Sequence, residues 1–209
     1  MGVRGKDIRG YRQRREARRR QEILRQAAYV LAEQGYHGVT LEAIATRLEM
    51  TKGSLYYYFP DKQEILSLVL QHGAQAALDF VVKAIGPEEP ANVRLCQWVD
   101  AHIRFICREM PFSVTLLQTE SILDNPAHEK VEQMLYQYER ILDTILEDGM
   151  AQGQFVTAPV RPTRNFILGS LNWIPRWYGD DEAMPLDELI SLYRDHVLRV
   201  VGYGPVDKV

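Results

Sequence analysis

Apolar residues along this 209-residue chain recur at helical spacing almost throughout, with no strand-like alternation of any length. Ile23, Leu24, Ala27, Ala28, Val30 and Leu31 form one stripe, which predicts a helix over about 15–34 that Gly35 ends. A short helix fits 40–48, with Thr40 as its cap, and another fits 52–59. Pro60-Asp61 breaks the chain. Asp61, followed three residues later by Glu64, has the look of a capping box and opens a long helix reaching about residue 85. Residues 86–90, Gly-Pro-Glu-Glu-Pro, are the clearest internal break. Beyond them the pattern predicts helices at about 91–109, 112–122, 127–151, 163–178 and 186–202, punctuated by Pro111, Asn125-Pro126, Pro162 and Gly179-Asp180-Asp181. Residues 1–11, with three glycines and few apolar positions, read as a mobile arm. The expected fold is all-α with about nine helices: an N-terminal three-helix head and a C-terminal helical body.

Charge divides the chain in the same place. Residues 1–62 hold 13 Lys or Arg against 7 Asp or Glu, a balance of +6, whereas residues 63–209 hold 12 against 21, a balance of −9. A basic head on an acidic body suits a polyanion at the head alone. The expected domains are therefore 1–62, arm and head, and 63–209, body. Within the head the cations concentrate in Arg12, Arg14, Arg15, Arg18, Arg19, Arg20 and Arg25.

The segment 36–62, YHGVTLEAIATRLEMTKGSLYYYFPDK, carries the chemistry. Two short helices joined by about three residues can pack Ile44, Ala45 and Leu48 against Leu55. Ala45 is small where the helices cross. This is helix-turn-helix geometry, in which the second helix enters the DNA major groove. Thr51, Lys52, Gly53 and Ser54 at its start combine small side chains with a long cation that reaches a guanine edge or a phosphate. Three consecutive tyrosines, Tyr56, Tyr57 and Tyr58, cannot all point inward when each step turns the chain by about 100°, so at least one hydroxyl faces outward. Lys62 extends the cationic surface, and Phe59 belongs to the core.

TKGSLYYYFPDK, with Gly35 and Thr40 through Ala45 before it, resembles the signature of the TetR family of regulators, closely over about residues 18–66 and by length and helical layout beyond. The resemblance implies that Lys52 and Gly53 contact bases. It implies that Thr40, Thr51, Ser54, Tyr56, Tyr57, Tyr58 and Lys62 contact the DNA backbone or occasionally a base. It also implies a homodimer built on the last two helices, with operator DNA and a small-molecule effector as partners. Glu49, in the turn, departs from the glycine common in the family; if positive φ is required there, a side chain costs up to about 1–2 kcal/mol.

Residues 167–181, ILGSLNWIPRWYGDD, resemble the acyl-CoA-responsive, FadR-type branch of that family, whose members acyl-CoA thioesters release from DNA. The expected effector residues are Trp98, His102, Phe105, Phe112, Trp173, Arg176 and Trp177. Arg94, Arg104, Arg108 and Arg140 join Arg176 as candidates for CoA phosphates. The expected function is an acyl-CoA-released repressor of fatty-acid or related acyl-CoA catabolism. The alternative is a repressor of an efflux system that senses hydrophobic drugs or small aromatics. No nucleophile elbow, phosphate loop, dinucleotide fingerprint or HExxH helix points to an enzyme. Cys96, His102 and Cys107 lack zinc spacing, and neither a metal nor another cofactor is expected. On one helix the two cysteines would stand about 16 Å apart, too far for a disulfide, which needs less than about 7 Å. No uninterrupted apolar run approaches the roughly 18 residues of a membrane span, and the basic N-terminus lacks the apolar core of a secretory signal. The expected location is the cytoplasm, with no membrane partner.

Overall fold

Side-chain caps set three helix starts in the computed structural model, which describes residues 4–108, 126–179 and 184–204. Thr40 caps α2 (Leu41–Arg47), its hydroxyl accepting from Ala43 N–H at 3.1 Å. Thr51 caps α3 (Lys52–Tyr58) by accepting from Ser54 N–H at 3.1 Å. Asp61 caps α4 (Lys62–Ala84) by accepting from Glu64 N–H at 2.8 Å. The predicted break after residue 85 then precedes α5 (Ala91–Arg108), and α6 (Pro126–Ala151), α7 (Val160–Asn172) and α8 (Leu186–Val200) follow. These eight helices, counting α1 (Arg4–Gly38), make up the regular structure of the described residues together with one 3-10 turn at Ile174–Arg176. The expected helix at 112–122 and the effector candidate Phe112 lie outside the described residues.

Two expectations are corrected. Residues 1–11 were expected to form a mobile arm, but α1 is helical from Arg4; Arg, Gln and Glu are good helix formers, and their run outweighs Gly5 and Gly10. Gly35 still ends the regular part of α1, with φ 67° and ψ 173°. The expected helix 163–178 ends at Asn172 instead. Pro175 has no N–H to donate and its ring clashes with the carbonyl four residues back, so the chain tightens into the 3-10 turn.

Two principal apolar clusters result. The head core joins the predicted α1 stripe to Ile44, Ala45, Leu55 and Phe59, and includes Ile65, Leu66 and Val69 from α4. The body core surrounds α5, which packs against α4, α6, α7 and α8. Helix α4 therefore serves both. By length and composition alone α4 is long and apolar enough to cross a membrane, although no uninterrupted apolar run marks it in the sequence; half of that stretch is buried against other helices. Cys96 and Cys107 are free, on α5, and half-buried rather than fully enclosed.

The turn between α2 and α3 has the geometry the sequence put in question. Met50 N–H donates to Ala45 C=O at 2.9 Å and Glu49 N–H to Thr46 C=O at 3.1 Å, the paired bonds of a Schellman cap. Glu49 occupies its left-handed position at φ 53°, the sole non-glycine with positive φ among the described residues. Glu49→Gly should raise stability by about 0.5–1 kcal/mol and the Tm by about 2–4 °C, because strain relief exceeds the added entropy of the unfolded chain. Glu49→Ala should give no gain. A lower Tm for Glu49→Gly in a thermal melt would contradict the strain.

His102 is buried in the body core, where desolvation holds its imidazole pKa down to about 4 from the ordinary 6.5. Above pH 6.5 neither the folded nor the unfolded chain protonates it. As the pH falls from 6.5 toward 4 the unfolded chain gains a proton that the folded chain refuses. Stability should therefore drop by up to about 3 kcal/mol over that window. Urea unfolding at pH 7 and pH 4.5 should show this loss, and His102→Gln should remove it; an unchanged pH dependence in that variant would contradict the burial.

Candidate functional site

The candidate recognition surface starts from α3, a helix held by one buried residue, Leu55, on its inner side. Thr51, Lys52, Gly53, Ser54, Tyr56 and Tyr57 are all exposed, while Tyr58 is half-buried. Tyr57 is the most open of the tyrosines at 74 % exposure and meets Tyr58 edge-on, with ring centroids 5.0 Å apart. A side chain at Gly53 would meet no atom closer than Thr51 Oγ1 at 3.9 Å. Packing within the chain thus places no demand on Gly53, and the bare backbone there lies open to an external surface.

Several predicted contact residues already have internal partners. Thr51 and Ser54 share a 2.9 Å hydroxyl bond. Lys52 donates to Glu42 of α2 and its ammonium lies 6.0 Å from the Tyr56 ring centroid. That ion pair raises the Lys52 pKa and lowers that of Glu42. The pair is solvent-exposed, and an exposed pair adds little stability and yields readily to a competing anion. Lys62 is half-buried and donates to Val39 C=O at 3.2 Å, which ties α4 to the end of α1.

The arginine run divides into two parts. Arg20 stacks over Phe59, 4.4 Å from its ring centroid, and donates to Tyr58 C=O at 2.8 Å and to Glu64 at 3.4 Å. It neutralises the carbonyl end of α3 and fixes it to α1 and α4. Arg12, Arg15, Arg18 and Arg19 instead line an open cleft of about 830 Å³ whose other wall is Tyr57 and Tyr58. Spacing alone did not separate these roles, because both halves of the run are equally basic; the face of α1 that meets Phe59 decides.

Of the seven expected effector residues, the six that are described do not come together. Trp98, His102 and Phe105 are buried on one side of α5. Trp173, Arg176 and Trp177 are exposed on the outer side of the body, with the Arg176 guanidinium 5.7 Å from the Trp173 ring centroid. Three of the five arginines considered for CoA phosphates have acidic partners: Arg94 with Asp148, Arg104 with Asp100 and Asp187, and Arg140 with Asp143 and Glu147. Tyr138 of α6 was not singled out from sequence. It binds His102 Nδ1 through its hydroxyl, stays un-ionised because burial raises its pKa, and stands within 5.5 Å of the Trp98 ring, centroid to centroid. The available signal was a lone hydroxyl in the stripe Val131, Leu135, Tyr138, Leu142, Leu146.

The family model for bacterial regulatory proteins of the tetR family matches residues 23–69, and the tetracyclin repressor-like C-terminal domain model matches residues 88–201. The chain is 25% identical over 168 residues to the "Fatty acid metabolism regulator protein" of Bacillus subtilis, covering 79% of this chain and 86% of that one. Among solved structures, the TetR family regulator PfmR from Thermus thermophilus aligns with TM-score 0.75 and 30% identity, over 85% of this chain and 97% of its own. AibR, solved with isovaleryl coenzyme A and operator DNA, shares the fold at TM-score 0.79 and 19% identity, over 89% of this chain and 100% of its own. With an exposed cationic helix on a capped helix-turn-helix and a second helical domain matched along most of its length, the chain belongs to the tetR family of bacterial DNA-binding regulators.

Proposed function

We propose that this protein is a homodimeric cytoplasmic repressor, that it binds a palindromic operator, and that an acyl-CoA of fatty-acid or related catabolism releases it. The observation that carries the DNA half is the exposed start of α3, with Lys52 and Gly53 foremost and the arginine cleft beside it. Lys52 reaches base edges, Thr51, Ser54, Tyr56 and Tyr57 reach phosphates, and the Thr40 and Lys62 ends of α2 and α4 flank them. Arg12, Arg15, Arg18 and Arg19 add sequence-independent affinity that salt weakens.

Dimerisation is supported by an apolar outer face. Phe166, Trp173, Trp177, Leu192 and Val200 are each at least 40 % exposed, and several of them line an open groove of about 480 Å³ between α7 and α8. Such surface on two adjacent helices suits a four-helix contact with a twofold mate. Trp173 and Trp177 are therefore reassigned from the effector to this face. The acyl-CoA half is supported by the fatty-acid regulator relative, by the acyl-CoA-bound structural neighbour and by the Asn172-Trp173 to Trp177-Tyr178 segment.

Selection from random duplexes should yield a palindrome with half-sites about one helical turn apart. Lys52→Ala should weaken binding to it by about tenfold or more with the dimer intact; unchanged affinity in a gel shift would remove Lys52 from the reading face. In a thermal shift, octanoyl-CoA at about 100 times its Kd should raise the Tm by several degrees. A response to efflux-type dyes with none to thioesters would favour the drug-sensing reading instead.

A further inference from the structure

Six buried side-chain polar atoms among the described residues have no hydrogen-bond partner, and two of them belong to a single stacked pair: Trp98 Nε1 and His102 Nε2. Buried donors are rarely left so, since each forfeits its bond to water without replacement. The pair lies four residues apart on α5, inside the body core, with Trp98 fully enclosed and His102 4 % exposed. The rings are near parallel, 16° apart with centroids 5.1 Å from each other. Their N–H bonds lie in the ring planes, so neither ring can accept from the other in that stack.

The hydrogens can be assigned. Tyr138 Oη pairs with His102 Nδ1. The phenol must place its proton, and Nδ1 is the acceptor it meets, so the neutral imidazole carries its own hydrogen on Nε2. Asn172, the last residue of α7, approaches this ring closely enough to favour its protonated form, yet falls short of hydrogen-bond geometry. The core therefore presents two neutral N–H donors outside any formed bond, Trp98 Nε1–H with no acceptor and His102 Nε2–H with only the Asn172 side chain near it. A carboxylate or phosphate would demand a cation, and Arg94 and Arg104 on the same helix are already paired with Asp148 and with Asp100 and Asp187. A neutral acceptor carried on an apolar body fits.

We infer that Trp98 Nε1–H and His102 Nε2–H are the anchor for the effector's carbonyl oxygen, the thioester carbonyl of an acyl-CoA, with Tyr138 as the positioning residue that fixes the imidazole tautomer. This rests on the acyl-CoA reading above and adds to it the atoms that recognise the thioester. The anchor also gives the effector a mechanical handle. Phe105 on the same helix packs against Phe80 of α4, with ring centroids 5.6 Å apart, so a carbonyl drawn into this stack bears on α4.

Isothermal titration of the full-length protein with octanoyl-CoA and with S-octyl-CoA, a thioether of equal length without the carbonyl, tests the anchor. The wild type should bind the thioester about tenfold or more tightly than the thioether. Trp98→Phe and His102→Phe, each checked for folding by its circular dichroism melt, should lose that preference, the thioester affinity falling toward that of the thioether. Equal binding of the two compounds by the wild type overturns the anchor and leaves the acyl-CoA reading standing; that comparison needs no variant. Folded variants that keep the preference overturn it as well. Failure of the wild type to bind either compound overturns the acyl-CoA reading and the anchor with it.

Discussion

One helix belongs to two cores. The first turns of α4 bury Ile65, Leu66 and Val69 in the head cluster, and its later turns bury Ala77 and Val81 in the body cluster. At 23 residues it is about 35 Å long. Apolar burial at both ends means the helix cannot shift relative to one core without disturbing the other, because packed interiors resist continuous deformation. A small cluster of Leu70, Ala74 and Val131 fastens its middle to α6. The proposed control runs through this constraint: a ligand that repositions the α5 side of the body would move α4, whose first turns share the head core with Leu55 and Phe59.

The head is arranged so that binding groups are exposed while a separate set holds them. Leu55 and Phe59 bury the inner side of α3, Arg20 closes its carbonyl end and Thr51 its amide end. Lys52 and Tyr57 are then free to differ from what packing would choose. Glu49 is the exception, a side chain held in a left-handed backbone within the turn itself.

How much was legible in the sequence follows from the range of the forces involved. Caps at Thr40 and Asp61, the stop at Gly35 and the core stripe of α1 are local, set by residues within about four positions, and each was readable. The head's function was readable for the same reason, since the recognition surface is one continuous segment. The early end of α7 was missed because its apolar pattern continues through Pro175 although its backbone cannot. The split within the arginine run depends on which face of α1 meets Phe59, a contact separated by 39 positions in the chain. The expected effector residues that are described failed to converge because Trp98 and Trp177 share a chemistry but not a location: one is buried in the body core, the other is exposed. Tyr138 was unreadable for a related reason, as its meaning arises only where α6 meets α5.

Coupling between the two ends of α4 is the central claim, and thermodynamic reciprocity measures it most directly. Octanoyl-CoA is titrated by calorimetry into the free protein and into the protein saturated with its selected operator duplex. Its affinity should be lower in the presence of DNA, by the same factor by which octanoyl-CoA lowers operator affinity. Equal affinity for octanoyl-CoA with and without operator would contradict control transmitted through α4.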